Sequence, residues 1–359
     1  MSIKKISINK DIETAKTLPS YYYQDEKYFD LSINKIFKPS WQIISNLKQI
    51  DNTIYPFIFL KDSINEPLIL TNTNKKIRCL SNVCTHRGNI LCTKKNNKNS
   101  IVCKYHGRTF NLKGNILSYP GFKKTKYFPT KSDDLVKLKT QNWKNFIFIS
   151  LQPKIDITNI LDDIESRLGW FPFKNLRYNS LDSCEYTLDA HWSLYCENYL
   201  EGFHVPFVHK GLNKDINLNT YKTILLKNGV LQYTESKSKK DKLNIKKGFT
   251  DYKKNIYAYY YWIFPNIMLN FYKWGLSINI IEPINKNKTR IKFLSYPIQD
   301  YKQPTNTESS LDKVEKEDQN IVINVQKGIK SKLYNRGKYS PEYEMGVHYF
   351  HRLICKHLN

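Results

Sequence analysis

The chain has 359 residues, 40% of them hydrophobic and 14% aromatic, which is enough for two or three hydrophobic cores. The formal net charge is +25. Its lysines are scattered through "TKKNNKN", "FKKTK" and "KSKKDKLNIKK", as a bias toward Lys, Asn and Ile on solvated faces would leave them, not gathered in one aromatic-laced stripe for nucleic acid.

Seven cysteines are an odd number for a disulfide framework. The N-terminus "MSIKKISINKDIETAKTLPS" has no apolar signal core, and the longest apolar run, "FIFISL", is strand-sized. A reducing cytoplasm is therefore the expected compartment, with no membrane or nucleic acid as partner.

From about residue 40 to 152 the chain reads as short strands: "WQIISNL", "PFIFLK", "PLILTN", "IRCLSN", "SIVCKY", "RTFNL" and "NFIFISL". "TNTN", "NNKN", "LKGN" and "YPGF" punctuate them as turns. A small all-β domain is expected there. Helical patterns follow. "ITNILDDIESRLGW" starts at a threonine cap and stops at Gly169, and a second helix runs through "HWSLYCENYLEGFH". "TILLKNGVLQYTES", "NIYAYYYWIFP", "IMLNFYKWGLSINIIEP" and "TRIKFLSYPI" read as strands, with a mobile loop expected over 234–250. "SLDKVEKEDQNIVINVQKGIKSKLY" reads as a long amphipathic helix with Asp318, Val322, Val325 and Ile329 on one face. The second part is α+β.

Within the β-rich part lies "CTHRGNILCTKKNNKNSIVCKYHG", residues 84–107. Cys84-x-His86 and Cys103-x-x-His106 offer two thiolates and two imidazoles from two short loops. Zinc accepts that set as a tetrahedron, and so does a [2Fe-2S] cluster with both cysteines on one iron and both histidines on the other. The flanks favour the cluster. Each loop carries one ligand of each type, and no recognition helix follows. Gly88 and Gly107 allow tight turns in which backbone N–H groups approach sulfides.

In the second part, "HWSLYCENYLEGFHVPFVHKGL" places His204 and His209 five apart. On a straight helix they would diverge by about 140°. Pro206 between them is expected to end or kink the helix, which lets the imidazoles converge. His191, Leu194, Asn198 and Glu201 form a stripe on the helix before it. Two histidines and a carboxylate with open positions make the facial set of non-haem Fe(II) oxygenases.

These segments resemble the Rieske non-haem iron oxygenase family, that of aromatic-ring-hydroxylating dioxygenase alpha subunits. C-x-H-R-G followed by C-x-x-H-G is its cluster motif, and the second segment is similar to its N-x-x-E/D-x-x-H-x-x-x-x-H. Arg108 departs from it, since that family often carries Trp there. Asn89 and Tyr105 stand where respiratory-type Rieske proteins add a disulfide. The resemblance implies Cys84, His86, Cys103 and His106 as cluster ligands, and His204, His209 and a late Asp as iron ligands. Asp318 matches that Asp because it begins the apolar face of its helix; by residue type Asp312, Glu315 and Glu317 compete. Asn198 and Glu201 occupy the catalytic positions of the motif. Glu201 matches a carboxylate that links His106 of one chain to His204 of the next within a homotrimer. His348 and His351 read as packing or capping residues.

The implied architecture is an N-terminal segment over residues 1–39 packed on the catalytic domain, a Rieske [2Fe-2S] domain over 40–152, and a helix-grip catalytic domain, antiparallel sheet plus helices, over 153–359. The implied function is that of the oxygenase component of a two-component monooxygenase. It uses O2 and one mononuclear Fe(II) to hydroxylate or N-dealkylate a small substrate. "ENYLEGFHVPFVH" and "YNRGKYSPEYEMGVHYFHRLI" look like the choline, carnitine and glycine-betaine branch, so a quaternary amine is the expected substrate. Tyr259, Tyr261, Trp262, Tyr272 and Trp274 could form its aromatic cage, although alternating strand aromatics are usually core.

The sequence has no G-x-G-x-x-G, so electrons from NAD(P)H are expected only through a separate flavin/iron–sulfur reductase or a ferredoxin. The competing readings are an aromatic-ring-hydroxylating dioxygenase, a Rieske electron carrier without catalysis, and a basic zinc protein that binds nucleic acid.

Overall fold

The structure is a computed structural model that describes residues 4–46, 50, 53–73, 76–238, 240–299 and 311–359. The chain forms two compact units, one made of Lys38–Pro153 and the other of Met1–Phe37 together with Lys154–Asn359.

The unit Lys38–Pro153 is built of β-strands. Its main sheet holds β1 (Gln42–Asn46), β2 (Ile54–Phe59), β3 (Glu66–Thr73) and β4 (Lys76–Ser81). A smaller sheet holds β5 (Ser100–Val102), β6 (Thr109–Asn111) and β7 (Ile116–Ser118); β8 (Lys137–Trp143) and β9 (Phe146–Ser150) return to the first. The orders are β1-β9-β8-β4-β3-β2 and β5-β6-β7, with every pairing antiparallel. β7 and β8 are absent from the sequence reading. β8, "KLKTQNW", carries its lysines and polar residues on an accessible face, so its hydrophobic alternation is weak.

Ile54, Ile69, Leu80, Ile101, Phe110 and Leu135 form the core under the smaller sheet, and Cys84 and Cys103 belong to it. Asn82, itself buried, pins the first loop by exchanging two hydrogen bonds with the Cys92 backbone, at 2.7 and 2.8 Å.

In the other unit the helices are α1 (Ser20–Gln24), α2 (Glu26–Ser32), α3 (Thr158–Leu168), α4 (Trp192–Tyr199), α5 (Val205–Val208), α6 (Leu212–Asp215), α7 (Leu311–Ile329) and α8 (Met345–Leu358). The strands are β10 (Asn179–Leu188), β11 (Ile216–Leu226), β12 (Gly229–Ser236), β13 (Ile256–Ile263), β14 (Ile267–Tyr272), β15 (Gly275–Asn285) and β16 (Lys288–Pro297). They form one antiparallel sheet, order β10-β16-β15-β14-β13-β12-β11. α4 lies between β15 and α7, and α8 packs against β11. Trp192 of α4 is fully buried between Phe37 and Phe350.

Four local expectations change. The α3 cap comes from Asp156, whose Oδ1 accepts the Thr158 N–H at 2.9 Å, and Thr158 is already helical. α4 ends at Tyr199, before Glu201, because Leu200 and its neighbours leave helical geometry ahead of Pro206. Pro206 sits in the first turn of α5, where a missing N–H costs nothing, so it starts a helix and does not kink one. On α7 the buried stripe runs through Val322, Gln326 and Ile329, while Val325 is exposed. Gln326 earns its place by accepting the His191 N–H at 2.7 Å.

Within 234–250, Leu243 is buried and its N–H donates to the Ile256 carbonyl at 2.8 Å.

Candidate functional site: two histidine pairs

The first pair rises from the loops after β4 and β5. Both loops use one hydrogen-bonded frame. Gly88 N–H donates to the Cys84 carbonyl and Gly107 N–H to the Cys103 carbonyl, each at 3.0 Å. The Cys84 N–H then donates to Asn89 at 2.9 Å and the Cys103 N–H to Arg108 at 2.8 Å. This tight reversal needs a left-handed residue at the glycine. Gly88 and Gly107 have φ of +70° and +72°, where a side chain is strained.

Cys84 and Cys103 are buried, His86 is half-buried and His106 is exposed. The two imidazole rings stand 4.7 Å apart. Tyr105 stacks on His106 at 3.7 Å. Burial would raise the Cys103 thiol, but N–H groups of Tyr105 and His106, the Cys84 thiol and the Asn89 amide hold it below the ordinary value. Asn89 Nδ2 reaches Cys103 Sγ at 3.6 Å. Two buried thiols, one of them supplied with N–H donors, on the same two loops as two adjacent imidazoles, are a donor set that would suit a [2Fe-2S] cluster.

The second pair brackets α5. His204 precedes its first residue and His209 follows its last. His204 Nδ1 donates to Glu201 Oε1 at 2.5 Å, and Glu201 Oε2 accepts the N–H groups of Phe203 and His204, the latter at 3.0 Å. His209 Nδ1 donates to Glu317 Oε2 at 2.8 Å. With both Nδ1 atoms bound to carboxylates, both Nε2 lone pairs are free for a metal. They converge on one residue: Asp318 Oδ1 lies 2.9 Å from His209 Nε2 and 3.5 Å from His204 Nε2. Ligand atoms of His204, His209 and Asp318 all lie within 4.8 Å of one another. This donor set fits a hard divalent iron that keeps positions open for small molecules. Burial lowers His209, but Asp318 and Glu317 outweigh it and raise its pKa.

Asn198 lies half-buried on the last turn of α4. Glu315 is bonded to the Tyr195 hydroxyl, and the side chain of Asp312 lies outside the described residues. Sequence reasoning treated Glu317 only as a rival ligand; its adjacency to Asp318 was the available signal. It also missed Glu197, which lies 3.2 Å from His351 Nε2 and accepts the Tyr23 hydroxyl at 2.9 Å. His351 Nδ1 meets the Tyr339 hydroxyl at 2.7 Å, and His348 Nε2 the Asn9 carbonyl at 2.7 Å.

The aromatic candidates divide. Tyr259 and Tyr261 are fully buried with hydroxyls donated to Asp251 and Asp163, and Trp262 is buried against Phe264 and Phe350. These three are core. Tyr272 and Trp274 are half-buried and stacked at 5.4 Å, with Tyr260 at 5.9 Å from Tyr272.

The Rieske [2Fe-2S] domain profile matches residues 40–129, and the profile of the ring hydroxylating alpha subunit (catalytic domain) matches residues 173–359. The chain is 28% identical to the chloroplastic choline monooxygenase of Arabidopsis thaliana, covering 97% of this chain and 84% of that protein. It is 25% identical to the carnitine monooxygenase oxygenase subunit of Escherichia coli (strain K12), covering 96% and 94%. A crystal structure of a quaternary ammonium Rieske monooxygenase with L-carnitine shares the fold at TM-score 0.80 and 20% identity, covering 99% of this chain and 100% of that one. Naphthalene 1,2-dioxygenase does so at 0.69 and 18%, covering 98% and 95%. With the catalytic-domain profile spanning 173–359, the chain belongs to the ring-hydroxylating alpha-subunit family and is a Rieske-type oxygenase, an oxidoreductase whose cofactors are one [2Fe-2S] cluster and one mononuclear iron.

Proposed function

We propose that this chain is the oxygenase component of a monooxygenase that oxidises a carbon beside a quaternary nitrogen, with choline-, betaine- or carnitine-like amines as substrates. The observation that carries the iron chemistry is the convergence of two carboxylate-oriented histidines on Asp318. In this reading Cys84, His86, Cys103 and His106 hold the cluster, and His204, His209 and Asp318 hold the iron. The bound iron supplies a site at which O2 is activated beside the substrate. The balance is one C–H bond and one O2 converted to C–OH and water, with two electrons and two protons consumed.

The residues of the chain orient and gate that chemistry. Glu201 and Glu317 fix the histidine tautomers. Glu201 keeps a carboxylate at the His204 ring that can also accept from His106 of a neighbouring subunit, which gives it the bridging role. Phe203, Phe207 and Tyr343 are exposed close to Glu201, with Phe203 and Tyr343 stacked at 4.6 Å. Tyr105, beside His106, is exposed too. These apolar surfaces suit a subunit contact in a homotrimer. Asn198 is proposed to line the approach to the iron.

The substrate class rests on the choline and carnitine relatives and on half-buried Tyr260, Tyr272 and Trp274, which can face a cation without hydrogen-bonding it. Among the described residues no helix is long and apolar enough to cross a membrane. All seven cysteines are free, which suits a reducing cytoplasm.

The test is O2 consumption by the iron-loaded protein with choline, betaine, carnitine and simple aromatics, driven by NADH and a surrogate reductase. Turnover of a quaternary amine that needs the reductase is expected. Oxidation of aromatics alone would favour the dioxygenase reading, turnover with NADH alone would remove the separate reductase, and a colourless one-zinc protein would overturn the oxygenase.

A further inference from the structure

Asn89 and Arg108 occupy the same position in the two cluster loops, each accepting the N–H of its loop cysteine. Both side chains cross to the opposite loop. Asn89 reaches Cys103 Sγ, and Arg108 Nη1 donates to Thr85 Oγ1 at 3.0 Å, between Cys84 and His86. Arg108 is only 3% exposed. Its guanidinium carbon stands 4.8 Å over the Phe122 ring and 5.0 Å over Phe128, and Phe122 meets the His86 ring at 5.0 Å. The counter-charge is looser. Asp133 Oδ1 lies 3.8 Å away, and the other oxygen accepts the Thr130 N–H at 2.8 Å. Arg87 and Lys104 also flank the ligands, but both are exposed and screened by water. The charge fixed in apolar surroundings against the ligand loops is therefore positive.

We propose that the buried Arg108 guanidinium raises the reduction potential of the [2Fe-2S] cluster. The inference rests on the four-ligand reading above. One-electron reduction adds one negative charge to the cluster and needs no other reactant. A cation held by aromatic rings and a hydroxyl, away from water, favours the more negative state, because low local dielectric strengthens its field. Arg108 thus acts through its charge as a positioning residue for electron transfer.

The experiment is a redox titration of the purified holoprotein, followed by EPR of the reduced cluster, for wild type, R108Q, R108K and D133N. Iron and sulfide are quantified in each sample. For R108Q, the ratio of reduced to oxidised cluster at the wild-type midpoint is expected to fall about tenfold, or ~59 mV for one electron. R108K should recover most of that shift, and D133N, which removes the counter-charge, should move the potential up. An R108Q protein with full cluster and wild-type potential overturns the proposal, as does an R108K potential as low as that of R108Q. If the Arg108 variants fail to assemble a cluster, D133N decides, and an unmoved or lower potential overturns it. A wild-type protein without the cluster signal would instead overturn the four-ligand reading.

Discussion

His86 and His106 stand at the accessible ends of two loops, whereas His204 and His209 flank a short turn of helix and point inward. Backbone hydrogen bonds and two left-handed glycines shape the first pair. Side-chain carboxylates aim the second, one at each Nδ1. The contrast follows from what each site must hold. A cluster brings its own sulfides and needs N–H donors and a rigid cradle. A single ion needs ligand lone pairs aimed at one point and room left for other ligands.

The sharpest way to break this comparison is to delete one proposed ligand from each site. D318A should lower affinity for the mononuclear iron by more than about 100-fold, since losing a ligand exceeds the 10–100-fold effect of an outer partner. The cluster spectrum should stay intact, while C84S should abolish the cluster and keep the iron. Metal analysis with EPR reads both, and joint loss in either variant would show that the two sites are not independently built.

A second test asks whether buried carboxylates support the catalytic unit beyond its metal site. Asp251 bonds Arg167, Lys254 and the Tyr259 hydroxyl, so D251N should cost about 1.5–3 kcal/mol in a denaturant titration. Burial would raise the Asp251 pKa, but Lys254, Arg167 and Tyr259 hold it below the ordinary value. Its contribution is therefore present above the unfolded-state pKa of about 3.9 and is lost as pH falls through the depressed folded value. The wild-type advantage over D251N should vanish in acid.

E317Q keeps an acceptor for His209 but removes its charge, and a roughly 10-fold weaker iron affinity is expected, measured by chelator competition. On the other side, G88A should cost about 1–2 kcal/mol through its left-handed φ of +70° alone, because the nearest atom to the added methyl is 3.9 Å away. Unfolding followed at the cluster absorption measures it.

The proposed cluster ligands were legible because their spacing is local, with each loop written in one run of sequence. His204 and His209 were legible for the same reason, although the route differed. The chain leaves the helix at Tyr199, and Pro206 opens the next turn. Asp318 was reached through the family resemblance, with the amphipathic pattern of its helix choosing it over its acidic neighbours, and that pattern misled at Val325, because a buried glutamine fills the stripe. Glu317 and Glu197 could not be assigned, since their partners lie far away in sequence. Which strand aromatics are core was beyond reach for a related reason. Period-two alternation marks both faces of a strand equally, and only the packing of Tyr259 and Tyr261 on buried aspartates separates core from accessible face.

Glu317 and Asp318 are consecutive residues of α7, and their carboxylates stand at opposite nitrogens of the same His209 ring. With Asp318 as the proposed iron ligand, helix docking and metal capture are thermodynamically linked. Every increment of iron affinity is also an increment in the stability of the docked helix, growing with the logarithm of free iron above the dissociation constant. Chelation should accordingly speed hydrogen exchange along α7 while leaving the β-sheet amides unchanged.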